Sequence, residues 1–233
     1  IRDGALADDR WTLLPDARRL ADLPRNAAVI VPLALWRAER EALRARGEVG
    51  VLLAPDDDPA ELADDAAALP LIAQPGKAWN YSVATDVLGY LVEVISGQPF
   101  EQFLQSRIFE PLGMHDTAFY VDAAKASRLA QCYVSSPEGE LVPAQLGSFR
   151  EPPSAPSGGG GLVSTAADYM RFCECLRRGG ELNGKRLLGP KTLALMRANH
   201  LPGGKDLADV SLSMFTEATY RGVGFGLGFA MTT

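Results

Sequence analysis

PGKAWNYSVATDVLGYLVEVISGQPFEQFLQSRIFEPLGMHDTAF, residues 75 to 119, decides the fold. Pro75-Gly76 marks a turn. Thr85 or Asp86 is placed to cap a helix whose apolar face carries Val87, Leu88, Leu91, Val92 and Ile95, and Gly97 ends it. Pro99 opens a second helix with Phe100, Phe103, Leu104 and Ile108 on its apolar side, and Pro111 and Gly113 stop it. Two helices joined by so short a link pack as a hairpin.

Working outward toward the C-terminus, Ser154 to Gly161 is a Pro/Ser/Gly loop with four consecutive glycines. The run is not a phosphate-binding loop, because no Gly-Lys-Ser/Thr closes it; it reads as a flexible or closely packed turn. Thr165 and Asp168 match a capping box ahead of a helix through Tyr169, Phe172 and Leu176, closed by Gly179-Gly180. Gly189-Pro190 precedes one more helix, with Leu193 and Met196 inward. From Gly222 to Phe229 glycines alternate with apolar residues, which suits a strand whose backbone lies close to a neighbour.

The blocks PGKAWNYS, FEPLGMHDT, SGGGGLVSTAADYMRF and GGELNGKRLLGPKTLALM together resemble the class C-type β-lactamase and esterase family, which has the penicillin-binding-protein fold. The resemblance covers about two-thirds of the chain. It implies that Tyr81, at the Tyr of a Tyr-x-Asn or Tyr-Ser-x motif, lies in an active site. There it helps deprotonate a serine nucleophile and protonate the leaving group. Val83 stands where lactamases carry Asn, at a substrate-binding position, a change that esterases tolerate better. The activity implied is hydrolysis of a small-molecule ester or β-lactam through an acyl-enzyme, with no cofactor and no metal.

That chemistry needs a partner for the tyrosine. A serine hydroxyl is a weak nucleophile until a neighbouring base takes its proton. In the family a Lys one helical turn after the Ser does this together with the Tyr, hence the Ser-x-x-Lys motif. The five lysines here, Lys77, Lys125, Lys185, Lys191 and Lys205, follow Gln74, Asp122, Leu182, Leu188 and Pro202 at that spacing. The motif is absent from these 233 residues, as is a Lys-Thr-Gly or His-x-Gly motif after Tyr81, so the chain is expected to be inactive as given. A Ser-His-Asp triad does not replace it. His115 reads as a solvated turn residue, His200 as a partner of a helix end, and no Gly-x-Ser-x-Gly elbow exists.

Usage changes near residue 73. The first 73 residues contain no Ser and no Lys, and up to Pro70 nine Arg face fourteen Asp and Glu. Ala27–Pro32 and Gly50–Ala54 read as short strands, Leu69–Ala73 as a third, and Leu33–Arg46 as a helix. Asp58-Pro59 has the layout of a helix start, and Asp56 to Asp58 read as its solvated acidic end in preference to a cation site. Strands alternating with helices point to βαβ units. IRDGALADDRWTLLPD, PLALWRAEREALRARGEVGVLLAPDDDPAEL and LPLIA resemble the start of a bacterial family of unknown function encoded beside sulfite-reduction genes.

A net charge of −6 without a basic run argues against nucleic acid as a partner, and no stretch approaches a membrane span. Cys132, Cys173 and Cys175 are too few and too unevenly placed for a disulfide framework and read as small core residues. The opening Ile1-Arg2-Asp3 is neither an initiator Met nor a signal peptide, so the start reads as processed or truncated and the expected location is cytoplasmic. The expected fold is α+β: mainly the helical part of a β-lactamase/transpeptidase-like fold with one strand of its sheet over residues 74–233, preceded by a small α/β fragment over residues 1–73. A non-catalytic accessory protein of sulfite assimilation and a fused fragment without function stay open as other readings.

Overall fold

The computed structural model describes the backbone of residues 11–13, 28–32 and 49–52, and in full residues 63, 67, 74–136, 139–144, 149–211 and 221–232. The chain divides into two compact units, Ile1–Val83 with Ala194–Thr233, and Ala84–Leu193.

In the first unit, β1 (Trp11–Leu13), β2 (Ala28–Pro32) and β3 (Val49–Leu52) form a parallel sheet in that order, with Trp11 opposite Ala28 and Val29 opposite Val49. Two of the strands stand where the apolar runs placed them. β1 was not foreseen, because Trp-Thr-Leu is too short to show an alternation. Parallel pairing requires crossover connections, as the βαβ reading anticipates. Ala63 and Ala67 are helical, inside the helix expected after Pro59. The helix at Leu33–Arg46, the Asp56–Asp58 run and the strand at Leu69–Ala73 lie outside the described residues.

The second unit opens with α1 (Ala84–Ser96), closed by Gly97 at φ 67°. The helix starts before Thr85 and Asp86, so neither caps it. Both fall in its first turn, and Asp86 bonds elsewhere. The apolar face expected to pack inward does so only in part: Gly89 is buried and Val87 and Val92 are half-buried, while Leu88, Leu91 and Ile95 are exposed. α2 (Phe100–Leu104) follows and packs back on α1 as a hairpin, with the Phe100 N–H donating to Glu93 Oε1 at 2.7 Å. That carboxylate satisfies one of the amides a helix start leaves without a partner.

Pro111 does not stop the second helix. A π-helical turn, Gln105–Phe109, runs into α3 (Glu110–Leu112), and the chain stops at Gly113 in the left-handed region, φ 68°. A proline has no N–H and clashes with the carbonyl four residues back; widening the preceding turn absorbs both defects. The turn also presents Phe109 inward. Phe109, Leu112, Met114, Cys175 and Leu182 form the core, flanked by Leu104, Ile108, Phe172 and Leu187. Each large apolar side chain buried there contributes about 1.5–3 kcal/mol relative to exposure.

β4 (Tyr133–Ser135) and β5 (Leu141–Pro143) make an exposed antiparallel hairpin, which leaves Cys132 on the surface and corrects its assignment to the core. α4 (Ala166–Arg177) begins at Thr165, whose Oγ1 accepts the Asp168 N–H at 3.2 Å. Only that half of the capping box forms. Asp168 is buried and turns its carboxylate to the Asp116 N–H at 2.7 Å and the Thr117 hydroxyl at 3.1 Å. β6 (Glu181–Leu182) and β7 (Lys185–Arg186) form a tight hairpin, and α5 (Pro190–Met196) follows, with Leu193 buried and Met196 half-buried.

Back in the first unit, α6 (Leu207–Val210) and Leu201 form a small core with Trp79, Val223 and Phe225. β8 (Val223–Phe225) pairs antiparallel with β9 (Ala230–Thr232). A Cβ at Gly226 would lie 2.2 Å from the Met196 carbonyl oxygen. The close approach read from the glycine alternation holds at Gly224 and Gly226, but nothing lies within 4 Å of a Cβ at Gly222 or Gly228, and the strand expected to run to Phe229 ends at Phe225.

Candidate active site

Tyr81 lies in an irregular stretch between the Pro75-Gly76 turn and α1. The turn forms as read, with the Lys77 N–H on the Gln74 carbonyl at 3.0 Å. Tyr81 is 61% exposed, which places its phenol at the surface of its unit and not sealed in a core. Val83 is half-buried in the turn that leads into α1. An active-site residue must be held in place, and a side chain this exposed gains little from burial.

What anchors the stretch is Trp79. Its N–H donates to the Val210 carbonyl at 2.8 Å, and it forms a parallel bridge with Ser211. Its indole packs against Phe225 with ring centroids 5.4 Å apart, and Tyr81 meets it edge-on at 6.3 Å and 61°. These bonds explain why the structural division falls after Val83 and not near residue 73. The sequence reading quoted Trp79 within a motif block but gave it no role; the signal available was a large aromatic two residues from the tyrosine, on the same side of an extended chain.

In the other unit the four-glycine loop is closely packed. Asp86 Oδ1 accepts the Ser157 hydroxyl and the Gly159 N–H, the latter at 3.1 Å. Ser157 Oγ in turn accepts the Gly159 and Gly160 N–H groups at 3.1 and 3.0 Å. A serine hydrogen-bonded to a carboxylate invites a reading as nucleophile. Here its proton is engaged by Asp86 and its lone pairs by two amides, so Ser157 serves as a strut. Gly158 crosses α1 so closely that a Cβ on it would lie 2.1 Å from the Thr85 carbonyl oxygen.

The histidines do not build a triad. His200 Nε2 lies 2.8 Å from the Leu195 carbonyl oxygen in the last turn of α5, the helix-end role read from the sequence. His115 is exposed in its turn, and its carbonyl accepts from Lys125 Nζ at 2.7 Å.

A concavity of about 760 Å³ lies within the second unit, and Tyr81 is not among the residues that line it. Asp116, Lys125 and Arg128 line it, with Thr117 and Ser164 joined by a 2.8 Å hydrogen bond. Arg128 and Lys125 both pair with Asp116 at 2.8 Å and hold its carboxyl far below the usual carboxylate range. Both cations are committed to Asp116, so the cluster reads as architecture. Among the described residues no group of three or more His, Cys, Asp or Glu is arranged to hold a metal ion. No described helix is long and apolar enough to cross a membrane.

The chain is similar to several known proteins. Protein Rv1367c of Mycobacterium tuberculosis is 38% identical over 168 residues, 72% of this chain and 41% of that protein. Esterase EstB of Burkholderia gladioli is 35% identical over 128 residues, 48% of this chain and 32% of the esterase. Among solved structures, EstCE1, a hydrolase with promiscuous acyltransferase activity, superposes with a TM-score of 0.59 at 27% identity, over 76% of this chain and 46% of that one. The chain thus spans less than half the length of these relatives. The family model described as Beta-lactamase matches residues 34–231, opening well before the motif blocks that begin at Pro75. The chain belongs to the Beta-lactamase family.

Proposed function

We propose that this chain carries the tyrosine side of a serine-hydrolase site that acts on small-molecule esters through an acyl-enzyme. Tyr81 is the observation that carries the reading: an exposed phenol on an anchored stretch, inside the matched family region. In this reading Tyr81 takes the proton of a serine hydroxyl and passes it to the leaving alcohol. Val83, in place of an amide side chain, favours esters over β-lactams, and the likeness to an esterase points the same way.

With no Ser-x-x-Lys in its 233 residues, the chain alone is silent. Purified, it leaves p-nitrophenyl butyrate and a chromogenic cephalosporin unhydrolysed and takes no label from a fluorophosphonate probe. Stoichiometric labelling of a serine overturns this. Replacing the matching stretch of EstB by residues 74–232 supplies the missing motif and tests the tyrosine. Tyr81→Phe then lowers kcat by about 10²- to 10⁴-fold, the usual worth of a general acid–base. If Tyr81→Phe leaves kcat intact, Tyr81 is not catalytic.

For residues 1–73 we propose an α/β segment of separate origin, with an accessory role in sulfite assimilation as the second reading. The parallel β1–β2–β3 sheet and the absence of Ser and Lys support it. A fragment of residues 74–233 should then fold alone. Its failure would assign the stretch from residue 34 to the hydrolase unit, in line with where the family match opens.

A further inference from the structure

We propose that β4 offers its open edge to a second copy of this chain, antiparallel and centred on Val134, so that two β4–β5 hairpins join into one sheet. The edge lies wholly within the second unit, and the inference is independent of the role given to Tyr81.

The hydrogen bonds of the hairpin fix which backbone groups are left over. The Ala144 N–H donates to the Cys132 carbonyl at 2.8 Å and the Ser136 N–H to the Glu140 carbonyl at 2.7 Å, and Val134 stands opposite Val142. Bonded pairs of an antiparallel ladder fall on alternate residues, so Cys132, Val134 and Ser136 turn their backbone groups toward β5. Tyr133 and Ser135 turn theirs outward, where among the described residues no hydrogen bond reaches them. The outer edge of β5 belongs to Leu141 and Pro143, and the proline has no N–H to give. Proline and charge are the usual guards of a sheet edge. β5 has the proline, whereas residues 131–136, Gln-Cys-Tyr-Val-Ser-Ser, have neither. A two-stranded ribbon exposed along both strands is also marginal by itself in water.

Symmetry and charge select a second copy as the occupant. With Val134 on the two-fold axis, Tyr133 of each copy exchanges both backbone bonds with Ser135 of the other. Val134 and Val142 share a face, so the valine pair of one copy continues the valine pair of the other in a single row, and β-branched residues set opposite each other stabilise a sheet. No like charges meet within the strand. Lys125 and Arg128, two cations sharing Asp116, precede β4, and the exposed Glu140 follows its turn. Antiparallel pairing lays the cationic end of each copy beside the acidic turn of the other, while parallel pairing would set like ends together. Pro143 on the outer strand then stops further addition, and the assembly closes as a dimer.

The test uses the full chain in sedimentation equilibrium and in disulfide trapping. Wild type forms a dimer whose share grows with concentration. Ser135→Pro removes one outward N–H per copy and none that the hairpin uses, so the circular dichroism spectrum stays and the dissociation constant rises about 10- to 100-fold. Should Ser135→Pro not fold, Val134→Lys sets like charges opposite each other across the axis and must give a shift in the same direction. Cysteines read the register. Val134 faces its own copy, and Cys132 faces Ser136 of the other copy, as non-hydrogen-bonded pairs with Cα atoms about 4.5 Å apart, within disulfide reach. Val134→Cys in a Cys132→Ser background, and Ser136→Cys with Cys132 in place, therefore trap a dimer on oxidation by copper phenanthroline. Wild type, whose Cys132 meets a serine, does not. A chain that stays monomeric at about 1 mM overturns the proposal, and an edge that takes only a foreign strand gives that result. A dimer indifferent to both Ser135→Pro and Val134→Lys, or one that neither cysteine variant traps, overturns it as well.

Discussion

Gly158→Ala tests the packing of the glycine loop most directly. The added Cβ would stand 2.1 Å from the Thr85 carbonyl oxygen, 2.9 Å from its carbon and 3.1 Å from the Gly89 nitrogen. These are backbone atoms of α1, which cannot swing aside as a side-chain tip can. Side-chain Cβ atoms essentially never approach closer than 3.0 Å, so loop and helix must separate by about 0.9 Å, the difference between 3.0 and 2.1 Å. Overpacking of this kind costs about 1–3 kcal/mol. Separation also pulls the Gly159 N–H from Asp86, now at 3.1 Å, and a hydrogen bond to a charged group is worth about 1.5–3 kcal/mol. The expected loss is therefore about 2.5–6 kcal/mol. With a urea dependence of about 2 kcal/mol/M, the unfolding midpoint followed by circular dichroism falls by about 1–3 M. Gly160→Ala is the control. Nothing lies within 4 Å of its Cβ, and its φ is outside the left-handed region. Its effect stays within about 0.5 kcal/mol. In the Gly158→Ala background Asp86→Asn adds little, because the clamp is already open. If Gly158→Ala unfolds within about 0.5 kcal/mol of wild type, the loop does not lie on α1 and the reasoning fails.

Further outcomes follow from the second unit. Asp168→Ala strands the Asp116 N–H and the buried Thr117 hydroxyl and lowers stability by about 2–4 kcal/mol in a thermal melt; a loss below about 0.5 kcal/mol contradicts the buried tie. A thiol reagent labels Cys132 in the native chain and reaches Cys175 only on unfolding, since burial pushes the Cys175 thiol up; rapid native labelling of Cys175, mapped by mass spectrometry, refutes the core. Arg177 and Arg178 push Glu174 from 4.5 down to about 2, so its contribution is present above pH 4.5 and lost as pH falls toward 2. The stability gap between wild type and Glu174→Gln should be flat above pH 4.5 and close below it. A gap that persists at pH 2 contradicts the ion pairs.

Much of the fold could be read because its signals are local. Gly97 and Gly113 end helices where the chain turns left-handed. The apolar runs at Ala27–Pro32 and Gly50–Ala54 became the strands Ala28–Pro32 and Val49–Leu52, with bounds shifted by one or two residues. Where the reading failed, the missing information was non-local. The stripe Leu88, Leu91, Ile95 has the spacing of a buried face, yet spacing says only that the residues share a side, not that anything covers it. Pro111 was read as a stop because the helix was assumed to be regular; a π-turn was the other way to accommodate it. For the candidate site, Tyr81 was singled out from the motif around it, whereas the anchoring by Trp79 required knowing that Val210 and Phe225 return to it.

Asp86 and Asp168 show why capping signals and site architecture are easily confused. Both are acids in the first turn of a helix, where the dipole and the unpaired amides favour a carboxylate. Sequence alone therefore reads each as a cap. Each carboxylate instead reaches a segment far along the chain, Asp86 to Ser157 and Gly159, Asp168 to Asp116 and Thr117. The two readings are not rivals energetically. An acid that is already favoured in the first turn can be directed to a distant amide at little further electrostatic cost, and the bond it makes then fixes a loop as well as a helix end. The two ties differ in exposure. The Asp168 tie is buried and holds the core turn at Thr117, while the Asp86 tie is exposed and holds the glycine loop across α1. Burial strengthens the first by excluding water, so removing Asp168 should lower the stability of the unit as a whole. The second depends on close backbone contact at Gly158, so removing Asp86 alone should loosen the loop and leave α1 intact.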